Sequence, residues 1–145
     1  MSARKFFSQK QLDNIKQSVQ RAELETSGEI RVHIEDVCKG DVLDRAAYLF
    51  QKLGMDKTQL RNGVMIYLAI KDRKFAIIGD AGINAKVPGD FWDNAKTIML
   101  NDFKEGLFTE GLCKAVILAG EQLRNHFPYQ GDDRNELPDD VSFKN

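Results

Sequence analysis

Apolar residues recur along the chain at two different spacings, and the switches between them mark out its elements. Leu12, Ile15, Val19 and Ala22 follow one another at helical spacing. Just ahead of them Ser8 and Gln11 have the spacing of a capping box, with Phe7 placed to staple onto Leu12. A first helix is therefore predicted, closed by Thr26-Ser27-Gly28. From Glu29 to Asp36 the period changes to two. Ile30, Val32 and Ile34 face one side while Glu29, Arg31, His33 and Glu35 face the other. That alternation predicts a strand covered on one face only, or one near a sheet edge. Asp41 then opens a second helix, with Leu43, Ala46, Ala47 and Phe50 as its buried stripe and Gly54 as its C-terminal cap.

Gly63 to Ile70 (GVMIYLAI) is almost wholly apolar, the pattern of a central strand covered on both faces. Strand, helix and strand within about 40 residues form a crossover unit, which predicts two parallel strands joined right-handedly. Lys71-Asp72-Arg73 is a short polar turn into Lys74–Gly79, a third strand antiparallel to the second. Asp80 to Asn84 reads as a loop. Pro88-Gly89-Asp90 introduces a third helix that ends near Gly106, and Phe91, Trp92 and Phe103 are read as core. A fourth helix spans Thr109 to Asn125 with Leu112, Ala115, Val116, Ala119 and Leu123 inward. Gly111 and Gly120 in it are read as points of close packing. From Pro128 the periodicity stops, and five acidic residues stand against two basic ones. The expected organisation is one α/β domain over residues 1–127 and an acidic tail over 128–145, disordered in isolation.

Composition narrows the function classes. The 145 residues suit one core, with 42% hydrophobic and 30% charged residues. A net charge of −1 argues against a general nucleic-acid binder, which needs a basic surface. No apolar run is long enough for a signal peptide or a membrane span, so a soluble cytoplasmic protein is expected. Cys38 and Cys113 are read as reduced thiols, Cys38 the more accessible in its loop and Cys113 a small hydrophobe on a helix. Cys38 and Arg45 are too far apart for a cysteine-phosphatase loop. No Walker loop, dinucleotide fingerprint, EF-hand loop or nucleophile elbow is present.

The strand directions select a place for chemistry. Two parallel strands followed by an antiparallel one bring the start of the first (Ser27, Gly28, Glu29), the start of the second (Asn62, Gly63) and the end of the third (Gly79, Asp80) to one end of the sheet. Asp90 and Asp93 follow closely enough to fold over it. Carboxylate and amide oxygens converging there suit a hard cation, calcium or magnesium, with Glu29, Asp80 and Asp93 as ligands and Asp90 or Asn62 as helpers. Each residue also has a plainer role: Asp90 and Asp93 as helix cap and first-turn acid, Asp80 as a turn residue, Glu29 as a lysine's partner. The opposite end gathers Glu35, Asp36, Asp41, Asp44 and Asp72, where Asp41 reads as a helix cap and Asp72 as a partner of Arg73. His33 reads as a solvated strand histidine rather than a general base. His126 reads as a favourable charge at a helix C-terminus.

TSGEIRV at Thr26–Val32, Asn62-Gly63-Val64 opening the apolar strand, Asp72-Arg73-Lys74, and Gly79-Asp80-Ala81-Gly82-Ile83 together resemble the TPM domain family in order and spacing. The resemblance runs from about residue 8 to 127. It implies an α/β/α sandwich of Rossmann-like appearance with a mixed sheet, built from the β-α-β unit and the antiparallel hairpin. It also implies links to acid phosphatase activity, to calcium binding and to the repair of photosynthetic membrane complexes. Many members carry Asp-Asn-Gly before the second strand, where this chain has Arg61-Asn62-Gly63 and so a cation in place of a carboxylate. Three functions follow as expectations. The first is a domain that binds calcium or magnesium at one end of its sheet. The second is a metal-assisted phosphatase using the same cluster. The third is an interaction module acting through the sheet face or the tail, where Leu137, Val141 and Phe143 form a motif for a protein partner.

Overall fold

The computed structural model describes residues 3–129 and 141–143. Four strands make one open sheet in the order β3-β2-β1-β4: β1 (Glu29–Glu35), β2 (Gly63–Ala69), β3 (Lys74–Gly79) and β4 (Ser142–Phe143). β1 and β2 run parallel from Glu29 beside Gly63 to Glu35 beside Ala69, and β3 returns antiparallel from Lys74 beside Ala69. The predicted crossover and hairpin are therefore both present. The helices are α1 (Ala3–Phe6), α2 (Gln9–Glu23), α3 (Val42–Lys52), α4 (Ala81–Asn84), α5 (Phe91–Lys104) and α6 (Phe108–His126), with a 3-10 turn at Met55–Lys57.

Alternation along β1 and β2 feeds two cores. Ile30, Val32, Ile34, Val64, Ile66 and Leu68 join the larger one, to which Ile15, Val19, Met99, Leu112, Val116 and Leu123 contribute from α2, α5 and α6. Met65, Tyr67 and Ala69 join the smaller one with Ala46, Leu49 and Phe50 of α3. Helices thus lie on both faces of the sheet. The capping box at Ser8 forms in both directions, at 2.9 and 3.1 Å, and Phe7 is buried. Gly111 and Gly120 are close-packing points as expected. A Cβ on Gly111 would fall 2.6 Å from the Phe103 ring, and one on Gly120 would fall 2.7 Å from Ala22 Cβ.

Several expectations are corrected. β1 is not covered on one face only, although it does lie near the sheet edge, next to the two-residue β4. All seven of its residues are buried, and it is flanked by β2 and β4. Glu29, Arg31, His33 and Glu35 are between 1% and 8% exposed, so His33 is not solvated. The face of α3 is set by Ala46, Leu49 and Phe50, while Leu43 and Ala47 are exposed. Val42, Ala46, Leu49, Phe50 and Leu53 make a continuous apolar arc at helical spacing, and Leu43 and Ala47 fall off it. Asp80 to Asn84 is a helical turn rather than a loop, because the Asp80 carboxylate accepts from Ala81 N at 2.7 Å and starts α4. Cys38 is buried at 2% exposure despite its loop. Asp72 is bound to the Cys38 amide at 2.7 Å rather than paired with Arg73.

Of the tail, Val141–Phe143 is described and is seated on the domain. Ser142 and Phe143 pair in parallel with His33 and Ile34, and Val141 and Phe143 pack against the larger core. Leu137 and the acidic residues of 132–140 lie outside the described residues.

Candidate functional site

The amino end of the parallel strands does bring Glu29, Asn62 and Asp80 together through the backbone. Glu29 N donates to Asn62 O at 3.4 Å, and Asp80 N donates to Gly63 O at 2.9 Å. The side chains of Asp80 and Asn62 are otherwise engaged. Asp80 receives a bidentate pair from Arg61, Nε to Oδ2 at 2.6 Å and Nη2 to Oδ1 at 2.7 Å. This pairing raises the Arg61 pKa. Asn62 Nδ2 reaches Ser27 Oγ at 3.4 Å. Arg61 sits at φ 52, and its carbonyl accepts from Gly82 N at 2.8 Å and Ile83 N at 3.3 Å. A Cβ on Gly82 would lie 2.0 Å from Leu60 O, so only glycine fits there. Asp90 and Asp93 are exposed at the start of α5, and Asp90 makes no side-chain cap bond. The cation at this end is the protein's own guanidinium.

The carboxyl end of the same strands is built differently. Glu35 is held by Arg45 through two bonds, one of them Nε to Oε2 at 3.1 Å, and by Tyr67 Oη at 2.6 Å. Burial pushes its carboxyl up, but the bonds from Arg45 and Tyr67 outweigh burial and hold it below the ordinary glutamate value. His33 Nδ1 lies 2.8 Å from Ser142 Oγ, and its Nε2 is 3.5 Å from Glu35, too long for a full hydrogen bond. Burial lowers its pKa, with Glu35 offsetting part of the effect, so the ring is neutral near pH 7. The same desolvation raises the Tyr67 phenol. These groups position one another and the start of the β1–α3 loop.

That loop crosses the β2–β3 turn. Ile70 N donates to Glu35 O at 3.0 Å, Lys71 N to Asp36 O at 2.8 Å, and Cys38 N to Asp72 Oδ2 at 2.7 Å. The Lys74 ammonium then donates to the carbonyls of Cys38 at 3.1 Å and Gly40 at 2.8 Å. Asp36 Oδ1 is buried in this loop with no hydrogen-bond partner. Asp41 caps α3 through Asp44 N at 2.9 Å, as its sequence position suggested. Sequence reasoning named Asp36 and Asp72 but missed Lys74, Arg45, Tyr67 and Ser142. Lys74 belongs to the Asp72-Arg73-Lys74 stretch, where nothing marks its reach to the β1–α3 loop, Arg45 and Tyr67 carry no such signal, and Ser142 lies more than a hundred positions from His33. Among the described residues, no group of three or more His, Cys, Asp or Glu side chains is arranged to hold a metal. No helix among them is long and apolar enough to cross a membrane.

A mixed four-stranded sheet with helices on both faces, and with polar loops crossing at the carboxyl ends of its parallel strands, defines a small α/β domain. The TPM domain family matches residues 2–122, and the chain belongs to that family. It is similar to the BA42 protein from the psychrophilic bacterium Bizionia argentinensis, known from an NMR structure: 43% identity over 96% of each chain, with a TM-score of 0.89. Two further NMR structures share the fold at lower identity. One is the N-terminal domain of the cg2496 protein from Corynebacterium glutamicum, with 15% identity, 81% and 74% coverage and a TM-score of 0.65. The other is the N-terminal domain of a protein from P. gingivalis, with 19% identity, 86% and 82% coverage and a TM-score of 0.69. Comparison with curated protein sequences gave no significant match.

Proposed function

We propose that this TPM domain is a divalent-cation-binding module whose site lies where the β1–α3 loop crosses the β2–β3 turn. One observation carries the reading: the carbonyls of Cys38 and Gly40 already converge on a cation, the Lys74 ammonium. Calcium takes six to eight oxygens from carboxylates, main-chain carbonyls and water, at about 2.3–2.6 Å. The two carbonyls with Asp36 and Asp72 are donors of that kind, and water would complete the shell. A buried carboxylate oxygen without a partner costs free energy that a bound cation would recover, and Asp36 Oδ1 is such an atom. The location also follows the general rule that open α/β sheets bind ligands beyond the carboxyl ends of their parallel strands. With only two carboxylates the site would favour calcium, which accepts irregular oxygen shells, over magnesium, which demands an octahedron.

The same chemistry at the amino end, through Glu29, Asp80, Asp93, Asp90 and Asn62, is less favoured because Arg61 already satisfies Asp80. An amide-resolved NMR titration with calcium separates the two ends. Amides of residues 36–41 and 71–74 should shift, while those of 61–63 and 80–82 stay still. Shifts confined to the amino end would move the site there. No shift at about 10 mM calcium, above the range of the weakest protein calcium sites, would remove cation binding altogether.

A further inference from the structure

The proposed site has an occupant of its own, and its position has a consequence for affinity. Lys74 opens β3 opposite Ala69, and its side chain reaches across the turn to the β1–α3 loop. Its ammonium lies 3.1 Å from Cys38 O and 2.8 Å from Gly40 O. A calcium ion would need the same two oxygens at about 2.3–2.6 Å. A lysine ammonium and a divalent ion sharing them would sit within a few ångströms of each other, where like charges repel strongly even at a surface dielectric.

Resting on the cation-binding reading above, we propose that Lys74 is a built-in competitor, so that a divalent ion binds only by displacing its ammonium from the Cys38 and Gly40 carbonyls. Two features suit it to that role. The lysine head is a point charge on a flexible four-carbon stem, so it can leave for water without disturbing the strand that carries it. Its hydrogen bond to Gly40 O lies at the exposed rim, so the route outward is short. An arginine would hold the carbonyls through a rigid fork and exchange less readily. Lys74 therefore keeps the loop pinned when the ion is scarce and sets the concentration at which the ion takes over.

Lys71 supplies an internal control. It lies in the same turn with the same charge, it is exposed, and its main-chain N–H rather than its ammonium contacts the loop. Removing Lys71 alters the local potential without freeing a ligand.

Calcium chloride should be titrated calorimetrically, at fixed ionic strength, into the full chain and into K74M, K74Q and K71M. Thermal unfolding of each variant without calcium establishes that it folds. Competition predicts that K74M and K74Q bind calcium about tenfold tighter than the parent or better, and that K71M stays within about twofold, as expected for a screened surface charge. In the parent, the NMR signal of the Lys74 ε-methylene should move in step with the amides of residues 38–41 as calcium is added. If the parent binds and the Lys74 variants bind equally or more weakly, competition is overturned and cation binding stands. If K71M tightens as much as K74M, the effect is general electrostatics and competition is again overturned. If parent and variants all fail to bind, the cation-binding reading falls. If only the Lys74 variants bind, competition holds in its strongest form and the native chain is not a calcium binder.

Discussion

The two ends of the sheet hold similar ingredients, carboxylates and loop carbonyls beside a basic side chain, and they use them in opposite ways. At the amino end the base is Arg61, whose fork fits both oxygens of Asp80. The carbonyl of Arg61 meanwhile ties down Gly82 and Ile83, and the left-handed backbone at position 61 fixes the turn. Asp80, Arg61 and the turn at Gly82 satisfy one another there. At the carboxyl end Arg45 likewise holds Glu35, but the loop beyond is pinned by Lys74, whose ammonium donates to the Cys38 and Gly40 carbonyls, while Asp36 Oδ1 in the same loop has no partner. One end is closed by geometry and the other is held by a contact that can be exchanged. A count of acidic residues does not distinguish them; the chemistry of the neighbouring base does.

The largest expected effect tests whether the amino end is closed. Gly82→Ala would drive a methyl group into the Leu60 and Arg61 carbonyls, at 2.0 and 2.6 Å. Chemical denaturation should show a loss of about 3 kcal/mol, the upper part of the usual range for overpacking. A loss under about 0.5 kcal/mol would mean that this turn yields and the contrast is wrong.

Next comes the support beneath the open end. Glu35→Gln keeps the shape but removes the charge that Arg45 and Tyr67 bind, and should cost about 2 kcal/mol. It should also weaken any calcium-dependent rise in melting temperature, because β1 delivers the chain into the loop. An unchanged stability would show the network to be passive.

Calcium itself distinguishes the ends by mutation. A hundredfold excess over the dissociation constant would stabilise the folded state by about 2.7 kcal/mol. Asp36→Asn should abolish that rise, and Asp80→Asn should leave it intact although the protein starts less stable. The reverse pattern would transfer the site to the amino end.

The smallest effect is acid sensitivity. The folded-state pKa of His33 is lowered, so the unfolded chain binds more protons as pH falls through the ordinary histidine value of about 6.5. The stability this neutral ring contributes is present above that value and is lost progressively below it. Glu35, also lowered, adds a second loss at more acidic pH, below the ordinary carboxyl range. Melting temperatures should therefore decline from about pH 6.5 downward, and His33→Gln should flatten the first part of that decline. A parallel decline in the variant would place the titrating group elsewhere.

Much of the fold was legible because its signals are local. The Ser8–Gln11 box, the apolar run of β2, the turn into β3 and the inward face of α6 each need only a few neighbouring residues. The polar face of β1 was not legible. Glu29, Arg31, His33 and Glu35 alternate as a solvated face would, yet all four are buried, and His33 and Glu35 are met there by distant partners: Arg45 on α3, Tyr67 on β2 and Ser142 on β4. The gathering of Glu29, Asn62 and Asp80 at one end followed correctly from strand direction. That Asp80 is already paired did not, because Arg61 acts through a side-chain geometry that spacing does not encode. The loop around Lys74 is still harder to foresee, since main-chain carbonyls leave no mark on the residue types that carry them.

β4 carries one more consequence. A strand buried along its whole length, as β1 is, would with its outer edge bare offer a ready template for the strands of other molecules, the first step towards aggregation. Ser142 and Phe143 pair with that edge at His33 and Ile34, and Phe143 packs against the core. The short strand thus covers part of an edge that other strands could extend, a role independent of any ligand at either end of the sheet.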